Sequence, residues 1–366
     1  RLAWLTSASI AGMALTSLLA FAAIQARDEA RDQRREAEGL VAFMLGDLKD
    51  KLEPIGRLDA LDGVGAKVLD YYRRQDAKDL PDDALVQRSR ALSLSAQVAY
   101  SRGTFNTAER LYREAFAGTA EAVQRDPDHA QHLFDHAQNA YWLGDIAMQR
   151  GDAASAERAF RLYKQLAERM IAIDPDDMKW RMESQYAETN LGIVLFNQRR
   201  YPDAARAFAK ALGIVGALAA ADPDNDDYQI NHLEALAWYA QAQQNTGRQA
   251  EAAAARERHI AMAKSYLAAN PGDVGFRQRL IPSFRTLANI RAAMRDGPGA
   301  MRAYEEAIAI GKSLMAEESG NSRWVDYTAK TQLNFANFLI DSGRLGDAAV
   351  QANSGCRAYS AILAKD

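Results

Sequence analysis

The chain has 366 residues, 48% of them apolar, nine prolines, and a formal net charge of −3 with acids and bases interspersed. That length holds two or three ordinary domains or one long repeat array, and the lack of a basic stripe excludes nucleic acid as the expected partner. One cysteine, Cys356, rules out an internal disulfide and a cysteine-built zinc site.

Ala, Leu, Arg, Glu and Gln abound, and runs of Val, Ile and Thr with period-two alternation are missing, so the chain reads as all-α. A single cysteine suits the cytoplasm and equally a bacterial periplasmic domain, and Cys356 reads as a small packing side chain on the last helix.

The first element is AWLTSASIAGMALTSLLAFAAI, residues 3–24, which has no charge over 22 residues. As a helix it spans about 33 Å, enough for a bilayer core of about 30 Å. A retained single-pass anchor over 1–25 is the favoured reading, against a buried soluble helix or a cleaved signal peptide. Ala8, Gly12, Thr16 and Ala20 fall every four residues and put small groups on one stripe, where two membrane helices can approach closely. Arg27, Arg31, Arg34 and Arg35 follow the span and argue for a cytoplasmic C-terminal part. The flank before Arg1 is the missing half of that comparison, and a start at Arg suggests a piece of a longer protein. Residues 26–36, with mixed charges at helical spacing, read as a solvated helical linker.

From residue 37 onward the chain repeats. Ala108, Ala156, Ala204, Ala252, Ala300 and Ala348 stand 48 residues apart, and one period earlier lies Ala60. Pro127, Pro175, Pro223 and Pro271 keep the same interval. Gly103, Gly151, Gly247 and Gly343 share a turn column that Arg199 and Arg295 occupy in the other copies. Tyr112, Phe160, Phe208 and Tyr304 share an aromatic column. Each unit reads as helix A of about 18 residues (131–149, for example), a tight turn, and helix B of about 20 residues ended by Asp-Pro. Ala at the start of helix B allows close approach to helix A, and the aromatic four residues later fills the space toward the next pair.

LGDIAMQRGDAASAERAF (143–160) and LGIVLFNQRRYPDAARAFAKAL (191–212) resemble the tetratricopeptide repeat, TPR, in their Leu-Gly, turn, Ala, aromatic, Ala layout. The resemblance covers 84–366, six helix pairs, with a divergent first pair at 37–83. It implies a TPR-like α-solenoid of about seven pairs, with a unit of 48 residues where the family has 34. The excess is expected mainly in helix B. FMLGDLKDKLEPIGRLDALDGVGAKVLDYY (43–72) resembles the junction in bacterial signalling proteins that place a Toll/interleukin-1-receptor-like or Ser/Thr kinase-like domain before one membrane span and a TPR array. That likeness implies a bacterial inner-membrane protein whose repeats face the periplasm, against the visible arginines.

Chemistry is sparse. GVGAKV (63–68) lacks the Lys-Ser/Thr of a phosphate-binding loop and reads as helix B packing. His132 and His136, four apart on one helix, are a weak metal candidate with no third ligand. No cofactor or enzymatic role is expected of this chain. The TPR resemblance puts helix A residues on the concave surface: Gln97, Tyr100, Ser101, Gln138, Tyr141, Asp145, Gln149, Tyr186, Thr189, Phe196, Asn197, Gln241, Gln244, Asn245, Arg285, Asn289, Lys330 and Asn337. Amides offer donor and acceptor to an extended peptide backbone, and Tyr and Phe offer apolar contact. The expected function is a membrane-anchored protein–protein interaction module with a peptide ligand, the sensory or scaffolding part of a larger signalling or defence protein. A homo-oligomerisation scaffold, and the C-terminal part of an NAD hydrolase or kinase, stay open as alternatives.

Overall fold

The computed structural model describes residues 58–72, 81–318 and 320–363, with scattered residues between 21 and 44. Its helices in chain order are α1 (Leu58–Tyr72), α2 (Asp82–Ser101), α3 (Phe105–Arg125), α4 (Ala130–Gln149), α5 (Ala153–Ile173), α6 (Met178–Asn197) and α7 (Tyr201–Ala221). They continue with α8 (Asp226–Asn245), α9 (Gln249–Ala269), α10 (Val274–Ala293), α11 (Gly297–Glu317), α12 (Ser322–Asp341) and α13 (Leu345–Leu363). No strand occurs among the described residues. The chain forms two compact units, Arg1–Asp152 and Ala153–Asp366. The first holds α1–α4 and the second α5–α13.

The 48-residue interval is kept in the backbone. Helices A begin at 82, 130, 178, 226, 274 and 322, and helices B at 105, 153, 201, 249, 297 and 345. The turn column explains why helix A stops where it does. Gly103, Gly151, Gly247 and Gly343 all have positive φ, and so do Arg199 (61°) and Arg295 (63°). In the second unit, for example, Arg199 N–H donates to Phe196 O at 2.9 Å and Arg200 N–H to Leu195 O at 2.9 Å. Such paired closures satisfy the last carbonyls of the helix and require a left-handed residue, which glycine supplies without strain. At the other end of the unit, Asp177, Asn225, Asp273 and Asn321 accept from backbone N–H groups of the next helix A, and His129 does so through Nδ1. These caps replace the missing intrahelical acceptors.

Five members of the alanine column, Ala108, Ala156, Ala204, Ala252 and Ala300, have no exposed surface, and Ala348 is buried. Tyr112, Phe160, Phe208 and Tyr304 are buried as well. Gly192 on α6 is the close-approach site against Phe208, since a Cβ there would lie 2.6 Å from the ring. The second unit's largest core runs from Leu233 on α8 to Ala348 on α13, and the first unit's joins α1, α2 and α3 through Tyr72, Leu85, Leu94 and Ala122. Helices A are 20 residues long and helices B other than α13 are 21, so one expectation is corrected. The length beyond the 34-residue family unit is shared by both helices rather than carried by helix B.

The expected membrane run 3–24, with its stripe Ala8, Gly12, Thr16 and Ala20, lies outside the described residues but for isolated positions. Most of the divergent pair at 37–83 does too. Its longest described part is α1, which contains GVGAKV in a helix packed on α2: a Cβ on Gly65 would meet Ser95 Oγ at 2.5 Å. Among the described residues, α7 has the length and apolarity to cross a membrane. It packs on α6 and α8 and buries Ala204, Phe208, Ala211, Val215 and Leu218, as a core helix does.

Candidate functional site

The expected groove residues are best followed within each unit. In the first, α2 and α4 bring together Tyr100, Tyr141 and Asp145. Tyr100 Oη donates to Asp145 Oδ2. Burial and that hydrogen bond push Tyr100 up to about 12, and burial beside Asp145 raises Tyr141. Trp142 joins them, edge-on to Tyr100 and Tyr141 and stacked on Tyr112 at 5.6 Å. Phe105 completes the cluster, edge-on to Tyr100. Gln97 and Gln138 are half-buried on the same helices.

The second unit repeats this cluster 96 residues later. Phe196 lies edge-on to Tyr201 and Trp238, and Phe208 stacks on Trp238 at 5.4 Å. These four residues sit in the columns of Tyr100, Phe105, Trp142 and Tyr112. Tyr186, Asn197, Asn245 and Asn337 are exposed on helices A. The row of amides is not uniform, however. Asn245 Nδ2 donates to Gln241 O at 2.8 Å on its own helix, and Asn289 Oδ1 accepts from the buried Tyr304 hydroxyl at 2.6 Å. Asn289 thus supports the core as well as the face.

One period after Phe196, Tyr201, Phe208 and Trp238, the same four columns hold Gln244, Gln249, Arg256 and Thr286. Here the space is not filled. A hollow of about 520 Å³ opens between α8 and α10, with α9 as its floor. Leu233, Trp238, Phe276 and Pro282 give it apolar walls, and the expected groove residues Gln241 and Arg285 lie on its lining. Arg256 and His259 project from α9 into it; they are 6% and 8% exposed. Arg256 Nη2 donates to Ala237 O at 3.3 Å, while its Nε has no partner among the described residues. Neither His259 Nδ1 nor Arg285 Nε has one. Burial holds Arg256 down to about 10, so it stays charged at neutral pH. Burial, with Arg256 and Arg279 nearby, holds His259 down to about 4, so it is neutral there. The one lining carboxylate, Glu234, is exposed and already pairs with Arg279 at 3.5 Å.

In neighbouring hollows most lining cations have a carboxylate partner. In the one lined by α9, α10 and α11, Arg291 pairs with Glu257 at 2.8 Å and Lys264 with Glu306 at 3.5 Å. In that lined by α5, α6 and α7, Lys164 pairs with Glu188 at 2.7 Å.

Arg256 and His259 were not singled out in the sequence. Arg256 had a readable signal: it breaks the column of Tyr112, Phe160, Phe208 and Tyr304. His259 had none, because its burial depends on packing. The metal candidate is otherwise engaged. His136 Nδ1 lies 3.0 Å from Thr119 Oγ1, and His132 stacks on His129, which caps α4. Among the described residues no group of three metal-ligating side chains comes together.

No protein-family model and no curated protein matches the chain. Solved structures do. Aspartyl phosphate phosphatase F from Bacillus subtilis matches with a TM-score of 0.50 at 8% identity, over 89% of this chain and 90% of that one. The apo form of RapI matches at 0.46 and 10% identity, over 75% of this chain and 98% of its own. A kinesin-light-chain protein of nearly identical TPR-like repeats from Podosopora anserina matches at 0.45 and 14%, over 64% and 98%. At such identities the likeness is one of fold alone, and it agrees with the 48-residue helix pairs: the chain is built of TPR-like repeats.

Proposed function

We propose that this chain is a non-enzymatic interaction module that takes a polypeptide against the faces of its helices A. The observation that carries the reading is the mixed helix A face of the second unit. Exposed Asn245 lies on α8, one of the helices that line an open hollow of about 520 Å³, and exposed Tyr186 and Asn197 lie on α6, the helix A one repeat earlier. That volume suits a bound side chain, and ligand sites of this kind combine apolar walls with a few polar groups. Repeat arrays present such surfaces because each pair contacts mainly its neighbours and leaves one face unpaired. The apolar run 3–24 supports anchoring of the module at a bacterial inner membrane, with the stripe Ala8, Gly12, Thr16 and Ala20 available for self-association.

The test is affinity capture of partners from the native membrane extract by the wild-type chain and by Asn197→Ala/Asn245→Ala. A polypeptide retained by the first and lost by the second is the expected result. Equal recovery by both overturns the role of these amides.

A second reading, end-to-end association of copies, is favoured by one observation. At the last pair, Ile340, Leu345 and Val350 are 51%, 66% and 64% exposed. Exposed apolar clusters mark association surfaces. Mass measurement in solution decides it, because a monomer at micromolar concentration removes this reading.

A further inference from the structure

We infer that the hollow between α8 and α10 is a site for an oxyanion carried by an acidic peptide, held by Arg256 with Arg285 and flanked by an apolar residue of the same ligand. This rests on the peptide reading above and names the chemistry of its ligand.

In the preceding equivalent junction, Phe196, Tyr201, Phe208 and Trp238 fill the space between successive pairs with rings. In this junction Gln244, Gln249, Arg256 and Thr286 stand in their place. The exchange removes three ring–ring contacts and leaves a cavity with a guanidinium in it. A structural arginine in such a position is expected to meet a carboxylate, because an uncompensated buried charge is strongly destabilising. None does so: among the described residues Arg256 reaches only the carbonyl of Ala237, with Nε unpartnered. Arg285 Nε is buried without a partner on the opposite wall. Glu234, the lining acid, is already paired with Arg279. The planar guanidinium presents parallel N–H donors that match a carboxylate or phosphate. The volume exceeds that of a lone ion, and Trp238 and Phe276 offer apolar wall beside the charge. An aspartate, glutamate or phosphorylated side chain on a peptide, next to an apolar neighbour, satisfies both features.

The test uses the full chain in detergent and three degenerate heptapeptide pools with a fixed central residue: Asp, phosphoserine or Asn. Inorganic phosphate serves as the free-anion probe. Retention of the Asp or phosphoserine pool roughly tenfold above the Asn pool is expected, and which of the two dominates identifies the source of the oxyanion. Arg256→Met should abolish that preference, Arg256→Lys should retain part of it, and the melting temperature of the unliganded Arg256→Met protein should rise by roughly 3 °C as an unpaired buried charge is removed. Equal retention of all three pools overturns the anion site while leaving the interaction reading intact. Arg256-dependent binding of inorganic phosphate with no peptide retention overturns the peptide-borne ligand. A fall in melting temperature with unchanged acid preference in Arg256→Met overturns the role of Arg256.

Discussion

Two junctions of the second unit share a backbone plan and differ in what fills them. Between α6, α7 and α8, four rings close the space, with Phe208 over Gly192 on one side and against Trp238 on the other. Between α8, α9 and α10, the same columns carry amides, a guanidinium and a hydroxyl around an open hollow. Helix lengths, turns and the buried alanine are the same in both. The repeat frame is therefore held by the turn and alanine columns, while the aromatic columns are free to vary and decide whether a junction is dry or open.

The comparison breaks most sharply at the closed junction. Phe208→Ala should cost about 3–5 kcal/mol, the range for deleting a buried aromatic, whereas Arg256→Ala should cost far less because no ring stack or ion pair is lost there. Denaturant unfolding of the two variants checks it, and equal losses would show that the two junctions contribute alike.

Acid should act on the open junction. His259 titrates at about 4 in the folded chain, held down by burial and then by Arg256 and Arg279, against about 6.5 when unfolded. The unfolded chain therefore takes up the proton first. Stability is full above pH 6.5 and falls as pH drops toward 4, by about 3 kcal/mol in all. His259→Gln should flatten unfolding between pH 6.5 and 4 relative to wild type. An unchanged slope would mean that His259 is hydrated and titrates normally.

The smallest expected effect concerns the shared frame. Arg199 and Arg295 hold a left-handed backbone that four sister repeats give to glycine. Arg199→Gly should stabilise by about 1 kcal/mol, read as a rise in melting temperature. A loss of stability would show that the Arg199 side chain contributes more than its backbone strain costs.

The repeat frame was legible because its columns obey local rules: glycine at a left-handed turn, alanine at a close crossing, Asp-Pro at a helix end. Arg199 and Arg295 could be placed by register alone, and the backbone puts them in the turn as expected. The division of extra length between helices was misread, since the helix ends depend on caps such as Asp177 and Asn225 rather than on where apolar periodicity fades. The site was legible in half. Gln241 and Arg285 were read from the register, but Arg256 and His259 lie within ARERH, which looks like a solvated helix face. Only the interruption of a column of rings marks Arg256 as buried. Asn289 was read as exposed groove surface, and its bond to Tyr304 depends on a neighbouring helix that no local pattern reveals.

The most direct measurement is the melting temperature of Arg256→Phe/Thr286→Trp, which restores two of the rings of the closed junction to the open one. The account predicts a protein that melts higher than wild type, with the hollow filled. A lower melting temperature would contradict it, by showing that the polar columns are part of the packing of this junction rather than a gap left in it.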